Sequence, residues 1–140
     1  MSVFHSGTCD CNQIELYVRL PEPLSSYSPR ACDCDFCSDN DLVFLSDPSG
    51  SLELVSTISL EHITQGSRQA EFLKCMNCEQ IVAVTTEVDG VLIGSVNSDC
   101  LYDADLLSVA TPVSIQSLSP KDKKARWDKT WMPVTISEPD

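Results

Sequence analysis

The chain has 140 residues with 9 basic and 21 acidic side chains, a net charge of −12 that repels phosphate backbones and argues against a nucleic-acid partner. Its length suffices for one ordinary domain with its own core, and 42% hydrophobic residues with only 5 glycines exclude disordered and collagen-like readings. The opening Met1-Ser2-Val3-Phe4-His5 lacks the basic and apolar regions of a signal peptide, and no apolar run nears the roughly 18 residues of a membrane span, so the expectation is a soluble, cytoplasmic protein with no membrane partner.

In chain order, Ile14, Leu16, Val18 and Leu20 alternate with Glu15, Tyr17 and Arg19, the period of a half-buried strand. Pro21, Pro23, Ser25, Ser26 and Pro29 then predict a loop leading to Cys32. Further strands are predicted at 42–45, 52–56, 60–64, 70–74, 81–86, 91–96 and 113–118, with Asp89-Gly90 as a hairpin turn between two of them. One helix is predicted over about 119–131: Ser119 can cap it, Pro120 suits its first position and Asp122 favours its positive end. Trp127 and Trp131 share a face of that helix and are read as core contacts. Its basic face (Lys121, Lys123, Lys124, Arg126, Lys129) is expected to lie near acidic surface of the same chain or of a dimer mate. The result is a mainly β chain with one short C-terminal helix, a single domain over 1–140 with a core at about 5–118.

Eight cysteines without a secretory signal read as metal ligands before disulfides. Cys9 and Cys11 form Cys-x-Cys; Cys32, Cys34 and Cys37 form Cys-x-Cys-x-x-Cys; Cys75 and Cys78 form Cys-x-x-Cys. Such spacings let thiolates from one turn point at the same ion, and zinc accepts tetrahedral thiolate sets. A thioredoxin-like redox pair would need a parallel βαβ frame, which the strand pattern lacks. Cys100 stands alone and is read as a small buried hydrophobe. Spacing alone does not say which clusters share an ion.

The series Gly7-x-Cys9-x-Cys11-x-x-Ile14, Cys32-x-Cys34-x-x-Cys37 and Phe72-x-x-Cys75-x-x-Cys78 resembles the glutathione-dependent formaldehyde-activating enzyme family, which shares its fold with centromere protein V. The resemblance spans roughly residues 5–100 and implies a mostly antiparallel β-tent with two zinc ions per chain. It implies that Cys9, Cys11, Cys75 and Cys78 hold a structural zinc. It further implies that Cys32, Cys34 and Cys37 hold a second zinc with an open, catalytic position; Asp33, which flanks that site, is read from its own chemistry as a proton acceptor or a solubilising loop residue. The activity implied is that of a carbon–sulfur lyase acting on a thiol–carbonyl adduct of the S-hydroxymethyl type.

Three positions depart from the family pattern. The open site reads Cys32-Asp33-Cys34 where Cys-His-Cys is common, and Ser38-Asp39-Asn40-Asp41 follow Cys37 where basic residues are common. With Asp33, Asp35, Asp39 and Asp41 in this segment, and no Lys or Arg between Arg30 and Arg68, the expected partner is a small thiol or aldehyde adduct other than glutathione, a net anion. Glu79 stands where glycine is usual, tolerable unless the backbone requires positive φ. A non-enzymatic, zinc-stabilised binding module is the alternative to the lyase. Among the remaining candidates, His5 is read as a solvated N-terminal imidazole, His62 as a surface or satisfied core histidine, and Asp35 as a second proton acceptor or a solubilising loop residue.

Overall fold

Period-2 alternation is realised most cleanly in β2 (Ile14–Leu20), where Ile14, Leu16, Val18 and Leu20 are buried and Glu15 and Tyr17 are exposed. Each such buried side chain contributes about 1.5–3 kcal/mol relative to exposure. The computed structural model describes residues 3–32, 37, 42–64, 69–113 and 118–139, with the backbone alone at Cys32. Among them β1 (Val3–Thr8), β2, β3 (Arg30–Cys32), β4 (Phe44–Leu45), β5 (Ser51–Ser56), β6 (Leu60–Thr64), β7 (Glu71–Cys75), β8 (Ile81–Val88), β9 (Val91–Asn97), β10 (Thr111–Val113) and β11 (Met132–Ser137) form one sheet system.

Its order is β1-β2-β5-β11-β9-β4-β3-β10, and β6-β7-β8 branch from β9. Pairing is mostly antiparallel, but β11 runs parallel to β5 and β10 parallel to β3, so the sheet is mixed. The β8–β9 hairpin turns at Asp89 (φ 51°) and Gly90 (φ 81°), the positive pair that a tight two-residue hairpin requires. β8 is buried from Ile81 through Thr86, as a strand covered on both faces should be.

β11 is the strand that the sequence reading omits. Its first residues pair with β9 (Met132 with Gly94, Pro133 with Ile93), and from Val134 it pairs with β5. Pro133 obscures an otherwise regular alternation, and the partners come from distant segments. β1 and β3 are also additional to the predicted set; Arg30–Cys32 is a strand where a loop is expected. The strand expected at 113–118 begins where β10 ends: Leu118 is not in a strand, and residues 114–117 lie outside those described.

The helix α1 (Pro120–Thr130) has its predicted cap, with Asp122 N donating to Ser119 Oγ at 3.1 Å. Trp127 and Trp131 are buried and stacked, with ring centroids 4.8 Å apart. They pack with Cys37, Leu42, Phe44, Ile81, Val84 and Ile93 in a second apolar cluster beside the main one. Lys124 lines a surface cleft with Glu71 and Glu87, yet no ion pair joins α1 to an acidic residue among the described residues. The buried tryptophans dock the helix, together with hydrogen bonds from Gln69 Nε2 to the Pro120 carbonyl at 2.8 Å and from Ser46 Oγ to the Thr130 carbonyl at 2.6 Å.

Candidate metal centre

Two hairpin turns of related construction meet at one end of the sheet. In the β1–β2 turn, Cys9 N donates to Ile14 O at 3.1 Å and Asn12 N to Cys9 O at 3.0 Å, with Asn12 at φ 66°. In the β7–β8 turn, Cys75 N donates to Gln80 O and Glu79 N to Cys75 O, both at 2.9 Å, with Glu79 at φ 65°. A register shift between Leu73 and Lys74 bends β7 just before Cys75. Asp10 N donates to Gln80 Oε1 at 2.8 Å and ties one turn to the other.

Close approach on the other side needs Gly7. A Cβ there would sit 2.0 Å from the carbonyl oxygen of Cys100, because β1 bridges directly to Leu101. The requirement at Glu79 is the reverse: the positive φ calls for glycine, so this departure from the family pattern carries strain and is not neutral.

The Sγ atoms of Cys9, Cys11, Cys75 and Cys78 lie within 4.8 Å of one another. Cys9 and Cys11 are 3.6 Å apart at sulfur, and Cys11 and Cys75 are 3.5 Å apart. Thiolates arranged tetrahedrally at a zinc–sulfur distance of about 2.3 Å would be about 3.8 Å apart. A disulfide would need about 2.05 Å. The donor set therefore fits a thiophilic metal ion such as zinc, and four thiolates close its coordination shell. A closed shell is the mark of a structural site.

Electrostatics set the protonation of these thiols before metal arrives. A hydrogen bond from the Asn77 side chain lowers Cys11 to about 6. Burial raises Cys9, and it pushes Cys75 up to about 12. Metal binding near neutral pH therefore displaces protons from Cys9 and Cys75, so it tightens as pH rises. Asn77, inside the Cys-x-x-Cys, has a role that no spacing rule reveals. Cys100 is buried nearby and, as expected of a lone buried thiol, stays outside the four-sulfur group; burial pushes it up to about 12, and the charges of Cys9 and Asp10 add to the effect.

The second cysteine cluster is placed only in part. The Cys32 backbone pairs with Val113 at the end of β3, and Cys37 is buried in the apolar cluster that holds Trp127 and Trp131, with Leu42 N donating to its carbonyl at 3.0 Å. Cys34, Asp33 and Asp35 lie outside the described residues. His5 is not a free N-terminal imidazole: it pairs with Val18 in β1, and its Nε2 is buried without a hydrogen-bond partner. His62 is a surface histidine, its Nδ1 2.8 Å from Glu71 Oε2 and its Nε2 3.9 Å from Glu138 Oε1.

Arg30 is the polar residue that the sequence reading left without a role. Its Nη2 donates to Ser46 Oγ and, at 3.1 Å, to Ser95 Oγ, and both serines are buried. Ser46 Oγ in turn donates to the Thr130 carbonyl at 2.6 Å, at the end of α1. Burial lowers the Arg30 pKa, and the like charge of Arg126 lowers it further. The available signal was a lone cation two residues ahead of the second cysteine cluster.

No protein-family model matches the chain, and no curated protein matches it. It is similar to a Rhodobacter sphaeroides protein whose crystal structure was solved as a Northeast Structural Genomics target, at 26% identity and a TM-score of 0.57. The alignment covers 76% of this chain and 97% of that one. The likeness supports the β-rich fold and says nothing of activity. No helix among the described residues is long and apolar enough to cross a membrane.

Proposed function

We propose that this chain is a cytoplasmic, two-zinc protein of the formaldehyde-activating type with the β-tent topology, acting as a carbon–sulfur lyase on a small thiol–carbonyl adduct other than glutathione's. The observation that carries the reading is the four-sulfur group, in which cysteines 64 residues apart in sequence stand 3.5 Å apart at sulfur. It supports the division of labour that the resemblance implies: Cys9, Cys11, Cys75 and Cys78 for structure, leaving Cys32, Cys34 and Cys37 for chemistry. Zinc, when bound by three thiolates, lowers the pKa of a thiol in the remaining position and makes thiolate available near neutral pH.

The roles of the chain's own residues follow. Cys37, buried in the apolar cluster that also holds Trp127 and Trp131, supplies a ligand. Asp33 is the proposed proton acceptor for the hydroxymethyl group as the carbon–sulfur bond breaks and the carbonyl forms. The same burial of Cys37 also favours a second reading, a zinc-stabilised binding module with no open position. Incubating zinc-loaded protein with formaldehyde and a panel of small thiols, and following adduct formation and cleavage by NMR, separates the two. Turnover that Cys34→Ser abolishes while the fold persists supports the lyase; no acceleration with any thiol supports the binding module.

A further inference from the structure

Charges of both signs line the cleft beside α1, and they do not pair with one another. The pairing of β7 with β8 ends at Glu71 and Thr85. Beyond that point the edge of β8 borders a cleft of about 250 Å³, whose walls include Glu71, Thr85, Glu87 and, from α1, Lys124. Its rim is braced by two hydrogen bonds. Thr86 Oγ1 donates to the Gln69 carbonyl at 2.7 Å, and Gln69 Nε2 donates to the Pro120 carbonyl at the start of α1.

Three acceptors converge in this cleft. Glu71 and Thr85 are cross-strand partners, with Cα atoms about 4.5–5.5 Å apart, and Glu87 is two residues along β8, about 7 Å away on the same face. One oxygen of Glu71 lies 2.8 Å from His62 Nδ1; its other oxygen and the Glu87 carboxylate have no partner among the described residues. Thr85 is only 2% exposed and lines the cleft, yet its hydroxyl also has no partner among the described residues. Its methyl lies toward Gly94 of β9, so the hydroxyl is the group turned to the cleft. A buried hydroxyl without a partner is destabilising, and a ligand that bonds it removes the penalty.

Two carboxylates and a hydroxyl match the three N–H donors of one alkylammonium group. A bare divalent cation fits less well, since among the described residues only the four cysteines bring their donor atoms within reach of one metal ion. Lys124, on the helix wall, has no carboxylate within ion-pair distance among the described residues. We infer that Glu71, Thr85, Glu87 and Lys124 form a binding site for a small zwitterion, its ammonium held by the three strand acceptors and its carboxylate by Lys124. A ligand carrying both charges satisfies both walls. The 250 Å³ available is below the roughly 300–1,000 Å³ of drug-sized sites, which points to a short-chain amino acid over a peptide or nucleotide. The site uses no cysteine and stands independently of the proposed thiol chemistry.

The test titrates the full zinc-loaded chain by isothermal calorimetry with glycine, 3-aminopropionate and 4-aminobutyrate, and with butylamine and butyrate as single-charge controls. At least one of the amino acids should bind about tenfold more tightly than butylamine, and butyrate should bind more weakly still. Glu87→Gln should weaken the amino acid and butylamine alike, by about tenfold. Lys124→Gln should bring the amino acid down to the level of butylamine and leave butylamine no weaker. Both side chains are exposed, so neither variant threatens the fold. Failure of all three amino acids to bind would overturn the site, as would affinities unchanged in Glu87→Gln. Equal affinity for amino acid and amine, or a preference that survives Lys124→Gln, would overturn the role of Lys124 and with it the zwitterion.

Discussion

The two cysteine regions of this molecule are held together in different ways. At one end, two hairpin turns each carry a pair of thiols, and the group is completed by sulfur atoms 3.5 and 3.6 Å apart. Besides the thiols, this end joins β1–β2 to β7–β8 through the Asp10–Gln80 and Asn77–Cys11 hydrogen bonds and through the main apolar cluster, to which Cys9 and Cys75 belong. At the other end, Cys37 is packed among apolar side chains from β4, β8, β9 and α1, and Arg30 is bonded to Ser46 and Ser95. The contrast is between a region where four thiols converge on one candidate metal position and a residue, Cys37, that is buried among apolar side chains. A structural site can rely on its ion for folding energy, whereas a site that exchanges ligands needs a framework that stands without one.

The largest expected effect tests that separation directly. Cys75→Ser should lose several kcal/mol of stability, because metal binding at a structural site is part of folding. Cys34→Ser should stay within a few degrees of native in melting temperature. Comparable losses in thermal denaturation would merge the two regions into one kind.

Next in size is Trp127→Ala. Removing a buried, stacked indole should cost about 3–5 kcal/mol, and the cost should be the same with and without a zinc chelator. A chelator-dependent cost, read from paired denaturation curves, would show that the helix region also leans on bound metal, at the four-sulfur group or at Cys37.

The smallest effect is a gain. Glu79 sits at φ 65°, where a side chain costs about 1–2 kcal/mol and glycine's entropy offsets part of the relief. Glu79→Gly should therefore stabilise the metal-loaded protein by up to about 1 kcal/mol. The Lys74–Glu79 pair that it removes, 3.7 Å apart with Glu79 largely exposed, should contribute little. A loss of stability in urea titration would show that the side chain supports the turn in a way its contacts do not reveal.

The same contrast explains what was legible in the sequence. The four-sulfur region is built from short-range signals: Cys-x-Cys and Cys-x-x-Cys spacings within turns, and clean alternation in β2. Which turn meets which is a long-range fact, and spacing alone did not hold it. The strand at Leu60–Thr64, the Asp89-Gly90 turn and the Ser119 cap were readable because local chemistry decides each of them. β1 was hidden because His5 and Gly7 occupy inward positions where apolar residues would mark the period. β3 and β11 were hidden by their partners: Arg30–Cys32 is short and follows Pro29, and β11 carries Pro133 where the strand passes from β9 to β5. The role of Arg30 was unreadable for the same reason, since Ser46 and Ser95 reach it from other elements.

Zinc counting by elemental analysis of metal-replete protein, native and Cys75→Ser side by side, tests the central claim most directly. The account predicts two ions per chain in the native protein, and one in the soluble fraction of the variant. A native count of one or none, or a count unchanged by Cys75→Ser, would contradict it.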